Sequence, residues 1–172
     1  MPTSTGADKV VAAVLPDLAG KFSDFAVRAP TADGGLTDIT VRLLTPVTVD
    51  EVNQRLSDAC ENALKGVMDF TLQEWVSSDI VGNAHSAIVH GLSTRVIGDR
   101  TLKLQVWYDN EYAYACRLLD LLETLVRMES MDKADLSENS ESVIPETRKG
   151  KVSNIHQKLF LQALKSLQFG TL

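Results

Sequence analysis

Cysteine is scarce in this chain, with Cys60 and Cys116 the two present among 172 residues. Far apart in a core-rich, loop-poor sequence, they make no framework of the kind that staples small secreted domains, and a reducing cytoplasm is the expected setting. Long apolar runs are lacking too. Val10 to Leu15 is the longest near the start, too short and without the basic flank of a secretory signal. No stretch approaches the roughly 20 apolar residues that span a bilayer. A positive field is missing as well: 17 Lys and Arg against 23 Asp and Glu leave a net charge of -6. That balance argues against nucleic acid and against an anionic membrane surface as partners, while small anions can still bind at local sites. The chain also has no Gly-x-Gly-x-x-Gly turn of a dinucleotide-binding domain and no internal repeat.

What is present is enough apolar material, 44% of the residues, for one sizeable core and a tail. Ala7 to Leu15 reads as a short helix stopped by Pro16 and Gly20. Phe25 to Arg28 and Leu36 to Leu44 are strand-like, and Asp33-Gly34-Gly35 between them has the residues of a hairpin turn. Thr48 or Asp50 can cap a helix to about Leu64, with Val52, Leu56, Ala59, Cys60 and Ala63 at helical spacing. Short strands are predicted at Val67 to Phe70, Ala87 to His90 and Ser93 to Ile97. From Leu102 to Tyr108 apolar and polar residues alternate with period two, the mark of a strand with two different faces. After Asn110 the period changes, and Tyr114, Leu118, Leu121, Leu122, Leu125 and Val126 form the stripe of a long helix. Composition shifts at about Glu129. The division expected is a domain over residues 1–131, a linker rich in Ser, Glu, Asp and Lys over 132–151, and a helical tail over 152–172. In that tail Ile155, Leu159, Ala163 and Leu167 stand four apart.

Three stretches carry candidate chemistry. Pro2-Thr3-Ser4-Thr5-Gly6-Ala7-Asp8-Lys9 offers hydroxyls and a glycine at the start of a helix, where free N–H groups and the positive dipole end favour an anion. A plain N-cap by Thr5 or Ser4 explains the same residues. Arg28 closes an apolar strand just before Pro30. Its guanidinium can fork onto a phosphate, or lie in solvent as an ordinary strand-end arginine. Asn110, in Trp107-Tyr108-Asp109-Asn110-Glu111-Tyr112, stands at a strand-to-helix junction. It can cap the helix or pair its amide with a planar carboxamide ligand, and the two roles compete for the same atoms. Cys60 and Cys116 fall at core-spaced helical positions where a small buried thiol is ordinary. His85 and His90 are expected on opposite faces of one strand, which suits neither a metal nor a shared base. Trp75 and Trp107 read as packing residues.

Taken in order, these stretches resemble the glyceraldehyde-3-phosphate dehydrogenase family from Pro2 to about Met128. The resemblance rests on PTSTGADK, FAVRAPT around Arg28, LTDITVRL, LKGVMDFT, VSSDIVGNAHSAI and above all WYDNEY. It implies an α+β fold, part of that family's catalytic domain, with a largely antiparallel or mixed sheet and helices on one face. It implies that Thr5 and Gly6 line a phosphate site, that Arg28 binds substrate phosphate, and that Asn110 holds the nicotinamide carboxamide. The ligands so implied are glyceraldehyde 3-phosphate, inorganic phosphate, and NAD or NADP, the choice between the last two belonging to a dinucleotide-binding domain that this stretch does not contain. In the family reaction a cysteine thiolate attacks the aldehyde, a histidine acts as base, hydride passes to the nicotinamide, and phosphate cleaves the acyl-thioester.

The family's Ser-Cys-Thr-Thr-Asn nucleophile stretch and its histidine precede the segment matching Pro2, so no catalytic residue and no metal ligand is expected here. Ala29-Pro30-Thr31-Ala32-Asp33-Gly34-Gly35 departs from the family's usual Val-Pro-Thr-Pro-Asn-Val-Ser, which loosens the loop after Arg28. Residues beyond about Asp132 lie outside the resemblance. The chain alone is expected to be inactive, to bind the cofactor weakly, and to be a marginal monomer or to need a partner, either an upstream half or further copies of itself. Three readings stay open: a half of an enzyme completed elsewhere, a piece of a normal enzyme, and a non-catalytic binding or regulatory module derived from one.

Overall fold

The computed structural model describes residues 1–138 apart from 4, 6 and 22. Strands β1 (Pro2–Thr3) and β2 (Ala26–Val27) pair antiparallel as a small ribbon, with α1 (Ala7–Val14) and a 3-10 turn at Pro16–Leu18 between them in sequence. Strands β3 (Gly35–Arg42), β4 (Met68–Thr71), β5 (Ala87–His90), β6 (Arg95–Ile97) and β7 (Thr101–Tyr108) form a second, mixed sheet in the order β3-β7-β5-β4, with β6 also on β7. β7 is its axis. One edge of β7 carries β3 antiparallel along its whole length, from Gly35 opposite Tyr108 to Arg42 opposite Thr101. The other edge is shared, β5 taking Val106 and Trp107 and β6 taking Thr101, Leu102 and Lys103. β4 lies parallel to β5. The architecture is α+β, a mixed sheet with helices.

The period-two pattern of β7 decides which face is inside. Leu102, Leu104 and Val106 are buried while Thr101, Lys103 and Gln105 on the opposite face stay half-exposed. Helix α2 (Val49–Glu61) covers the apolar face with Val52, Leu56 and Cys60, and Leu64 follows it into the same core. Each large side chain so buried contributes about 1.5–3 kcal/mol. Thr48 starts this helix with a capping box: its hydroxyl accepts from Glu51 N–H at 3.2 Å, and its own N–H donates to Glu51 Oε2 at 2.8 Å. Helix α3 (Tyr112–Glu138) leaves the end of β7, with Ala113 buried and Arg117 Nη1 donating to the Gly66 carbonyl at 3.1 Å.

Three expectations need correction. Asp33-Gly34-Gly35 makes no hairpin between β2 and β3, because β2 pairs with β1 and β3 pairs with β7. The glycines answer a different demand. Gly34 has φ of 80°, and a Cβ there would lie 3.1 Å from the Tyr108 carbonyl, while a Cβ on Gly35 would strike the Tyr108 ring. His85 lies ahead of β5 rather than in it, so the two histidines do not share a strand. Finally, α3 continues through residues 132–138, which composition assigns to a linker. Lys133, Ala134, Leu136 and Glu138 in that stretch are good helix formers, and helix propensity does not require the apolar content that packing does. The rest of the expected linker and the whole tail over 152–172 lie outside the described residues.

Gly34→Ala is therefore expected to destabilise the chain by about 1–3 kcal/mol, since alanine disfavours positive φ. Gly66→Ala, also at positive φ but with open space around its Cβ position, gives the backbone cost alone. Urea melts of the two variants check this, the Gly34 change being the larger.

Candidate functional site

The β1–β2 ribbon brings two of the predicted segments together. Its ladder begins at Met1 and Arg28, where Arg28 N–H donates to the Met1 carbonyl at 2.9 Å. It continues through Pro2 opposite Val27 and Thr3 opposite Ala26. Arg28 thus lies at one end of the ribbon and Thr5 just beyond the other, next to the start of α1. Gly6 lies outside the described residues. Arg28 is exposed, and among the described residues no acidic side chain pairs with it. Both features suit a guanidinium that must meet an external anion.

Asn110 stands apart from the ribbon, at the turn between β7 and α3. The capping role that sequence allowed it falls to its neighbour. Asp109 is 2% exposed. Its Oδ1 accepts from Glu111 N–H at 2.9 Å and Tyr112 N–H at 2.8 Å, and its Oδ2 accepts from Gly82 N–H at 2.8 Å. One carboxylate therefore caps α3 and ties down the loop before β5. Burial pushes this carboxyl up, but the N–H groups of Tyr112, Gly82 and Glu111, with a hydrogen bond to Asp33, outweigh it and hold it below its ordinary value. The Asn110 carboxamide is exposed and makes no hydrogen bond among the described residues. The competition between cap and ligand contact is thereby removed. Asp109 is the residue that sequence reasoning passed over. Its signal was there, since Asp caps as well as Asn, and two carboxylate oxygens can serve two elements where an amide has one acceptor.

The remaining candidates take structural places. His90 Nδ1 lies 2.6 Å from Ser93 Oγ and its Nε2 2.9 Å from the Gln73 carbonyl, which ties β5 to the loop after β4. His85 Nδ1 donates to Asn83 Oδ1 at 2.9 Å. Trp75 Nε1 donates to Gln73 Oε1 at 3.0 Å. Among the described residues no group of three His, Cys, Asp or Glu side chains could hold a metal ion. An open cavity of about 510 Å³ is lined by Cys60, Lys65, Asp69 and His85 among others, and none of the predicted phosphate or nicotinamide contacts borders it. Cys60 is buried at its edge and its thiol is pushed up to about 12, first by burial and then by the negative charges of Asp69 and Glu61. Cys116 is half-buried on α3.

The model of the glyceraldehyde 3-phosphate dehydrogenase C-terminal domain matches residues 1–110. The glyceraldehyde-3-phosphate dehydrogenase of Phytophthora infestans is 42% identical over 129 residues, 75% of this chain and 39% of the relative. Glyceraldehyde-3-phosphate dehydrogenase 2 of Bacillus subtilis is 43% identical over 122 residues, 71% of this chain and 36% of the relative. The glyceraldehyde-3-phosphate dehydrogenase of Borreliella burgdorferi is 46% identical over 129 residues, 74% of this chain and 38% of the relative. The chain thus spans under two-fifths of the length of the curated relatives it matches.

Proposed function

The chain belongs to the glyceraldehyde-3-phosphate dehydrogenase family through that C-terminal domain, and on this premise we propose that it supplies the phosphate and nicotinamide contacts of the reaction without supplying its nucleophile. The reading is carried by a family match that spans Thr5, Gly6, Arg28 and Asn110 together. It is supported by an arginine that pairs with no acidic side chain among the described residues and by an amide relieved of capping by Asp109.

The chain's own residues act by binding and orientation. Arg28 offers up to five N–H donors in a rigid fork to the phosphate of glyceraldehyde 3-phosphate or to inorganic phosphate. Thr5 and Gly6, at the start of α1, add a hydroxyl and close backbone approach beside the positive end of the helix dipole. The Asn110 carboxamide fits the planar carboxamide of NAD or NADP and would fix which ring face is presented. When bound, that group supplies the hydride acceptor. No cysteine lies in these stretches, so oxidation through an acyl-thioester requires a thiolate and a base contributed by the remainder of a family enzyme. The isolated chain is therefore inactive and holds NAD weakly.

Arg28→Gln tests the assignment. By phosphorus NMR titration of the full chain, affinity for inorganic phosphate is expected to fall about 10- to 100-fold, the worth of one charge-assisted hydrogen-bonding group. An affinity unchanged by the substitution would remove Arg28 from the site.

A second reading, a non-catalytic binding module, is favoured by one observation. Helix α3 exposes a broad apolar surface, with Leu118, Leu119, Leu122 and Val126 each at least half-exposed, which gives the chain something to bind besides small anions.

A further inference from the structure

The turn that presents Asn110 is acidic in every segment that meets there. The loop before β5 reaches it through Gly82 N–H, which donates to Asp109 Oδ2 at 2.8 Å. The loop into β3 reaches it through Asp33, hydrogen-bonded to the same carboxyl, and through Gly34, where a Cβ would strike Ile80. Residues 29–37, 76–86 and 105–116 contain no Lys or Arg, and they contain Asp33, Asp79, Asp109 and Glu111. Burial works against the charge of Asp109, but the N–H groups of Tyr112, Gly82 and Glu111 prevail and keep it ionised at neutral pH. Even with a proton shared between Asp33 and Asp109, the pair keeps one negative charge. Asp109 is buried, so salt screens it poorly, and Glu111 beside Asn110 is exposed. The start of α3 opposes them with only about half a unit of positive charge.

We propose that this acidic surround makes the Asn110 site select the oxidised nicotinamide, whose ring is cationic, over the reduced one, whose ring is neutral, with Asp109 and Glu111 setting the preference. The inference rests on the assignment of Asn110 to the nicotinamide carboxamide and adds a charge preference to it. The Asn110 amide cannot make this distinction, because the carboxamide it would hold is common to both forms. The pyrophosphate is common to both as well, so its repulsion by the same carboxylates cancels from the comparison. Ring charge is what differs, and a fixed negative field discriminates on that alone. Near a protein surface, one unit charge on a neighbouring residue is worth a factor of about 3 to 10 between a cationic and a neutral group. The sense suits an oxidation: the carboxylates of this turn hold the hydride acceptor and loosen their hold on the product that has lost its charge. Asp109 and Glu111 act here through space, as specificity-determining residues, without touching the ring.

Titration of the isotope-labelled full chain with NAD, and separately with NADH, tests it, read on the side-chain amide signal of Asn110. The wild type should bind NAD about 5- to 10-fold more tightly than NADH. Asp109→Asn, which keeps an acceptor for the helix start, should cut that ratio about threefold or more. Glu111→Gln, at an exposed position where the fold is not at stake, should cut it about twofold, and its effect should fade in about 0.5 M salt. A variant that merely loosens the fold weakens both forms alike and leaves the ratio where it was, so the ratio isolates charge. Equal affinities in the wild type, or a ratio that neither substitution moves, would overturn the proposal while leaving Asn110 as the nicotinamide contact. An Asn110 signal that neither NAD nor NADH shifts would instead remove that contact, and this inference with it.

Discussion

Replacing Asp109 by alanine is expected to lower the free energy of unfolding by about 3 kcal/mol, a large part of a domain's usual 5–15 kcal/mol. Three N–H donors lose their acceptor at once: Glu111 and Tyr112 at the start of α3, and Gly82 in the loop before β5. Those donors are near the surface and water recovers part of the loss, which keeps the effect below the sum of three charge-assisted bonds. Asp109→Asn retains one acceptor oxygen and should cost about half as much. The sign of the pH dependence follows from the carboxyl's lowered value. Unfolded, it titrates near 3.9; folded, it titrates lower. Its contribution is complete above about pH 4 and is lost as pH falls through the folded value. Urea melts at neutral pH and acid titrations followed by circular dichroism read both effects, and the acid-labile part should be missing from Asp109→Asn. A melt of Asp109→Ala indistinguishable from wild type would dismiss the double tie.

Alkylation of Cys60 by iodoacetamide at pH 8 is expected to be roughly a thousandfold slower in the folded chain than in urea. The thiolate is the reactive form, and a thiol near 12 is ionised to about one part in ten thousand at that pH, against roughly a tenth or more for an unfolded cysteine. The prediction matters because Cys60 and His85 border one cavity, a pairing that elsewhere would suggest a nucleophile and its base. Here the causes run the wrong way. Burial and the charges of Asp69 and Glu61 disfavour the thiolate, and the ring nitrogen Nδ1 of His85 is engaged by Asn83. Peptide mapping by mass spectrometry after timed labelling resolves Cys60 from Cys116. Equal rates for Cys60 in the folded and unfolded states would return it to the list of candidate nucleophiles.

Much of this fold was legible in local pattern. The four-residue spacing of Val52, Leu56 and Cys60, with Thr48 ahead of them, defined α2 and its buried side, and the alternation through Leu102, Leu104 and Val106 defined β7 and its core face. Pairing was not legible. The turn-like chemistry of Asp33-Gly34-Gly35 suggested a hairpin, yet β3 pairs with a strand some 65 residues on, as at Thr37 and Val106 or Asp38 and Gln105. Nothing in a nearby window encodes that choice. The apolar spacing of α3 was read correctly as a stripe and gave no sign that it would face away from the body. Periodicity says which side of a helix is apolar and is silent on what meets it. At the site, Asp109 and Asn110 are adjacent and equally good caps. The register of β7 and the position of Gly82, remote in sequence, selected Asp109, and that selection leaves the Asn110 amide available for a ligand.

On the function proposed, this chain holds binding contacts but not the atoms that make and break bonds. Formation of NADH, followed by absorbance with glyceraldehyde 3-phosphate, NAD and inorganic phosphate over the purified 172-residue chain, tests it most directly. The expected result is no turnover above the uncatalysed rate, whether or not the chain has been alkylated. NADH formation by the untreated chain that disappears on alkylation would contradict the claim and make Cys60 or Cys116 a nucleophile.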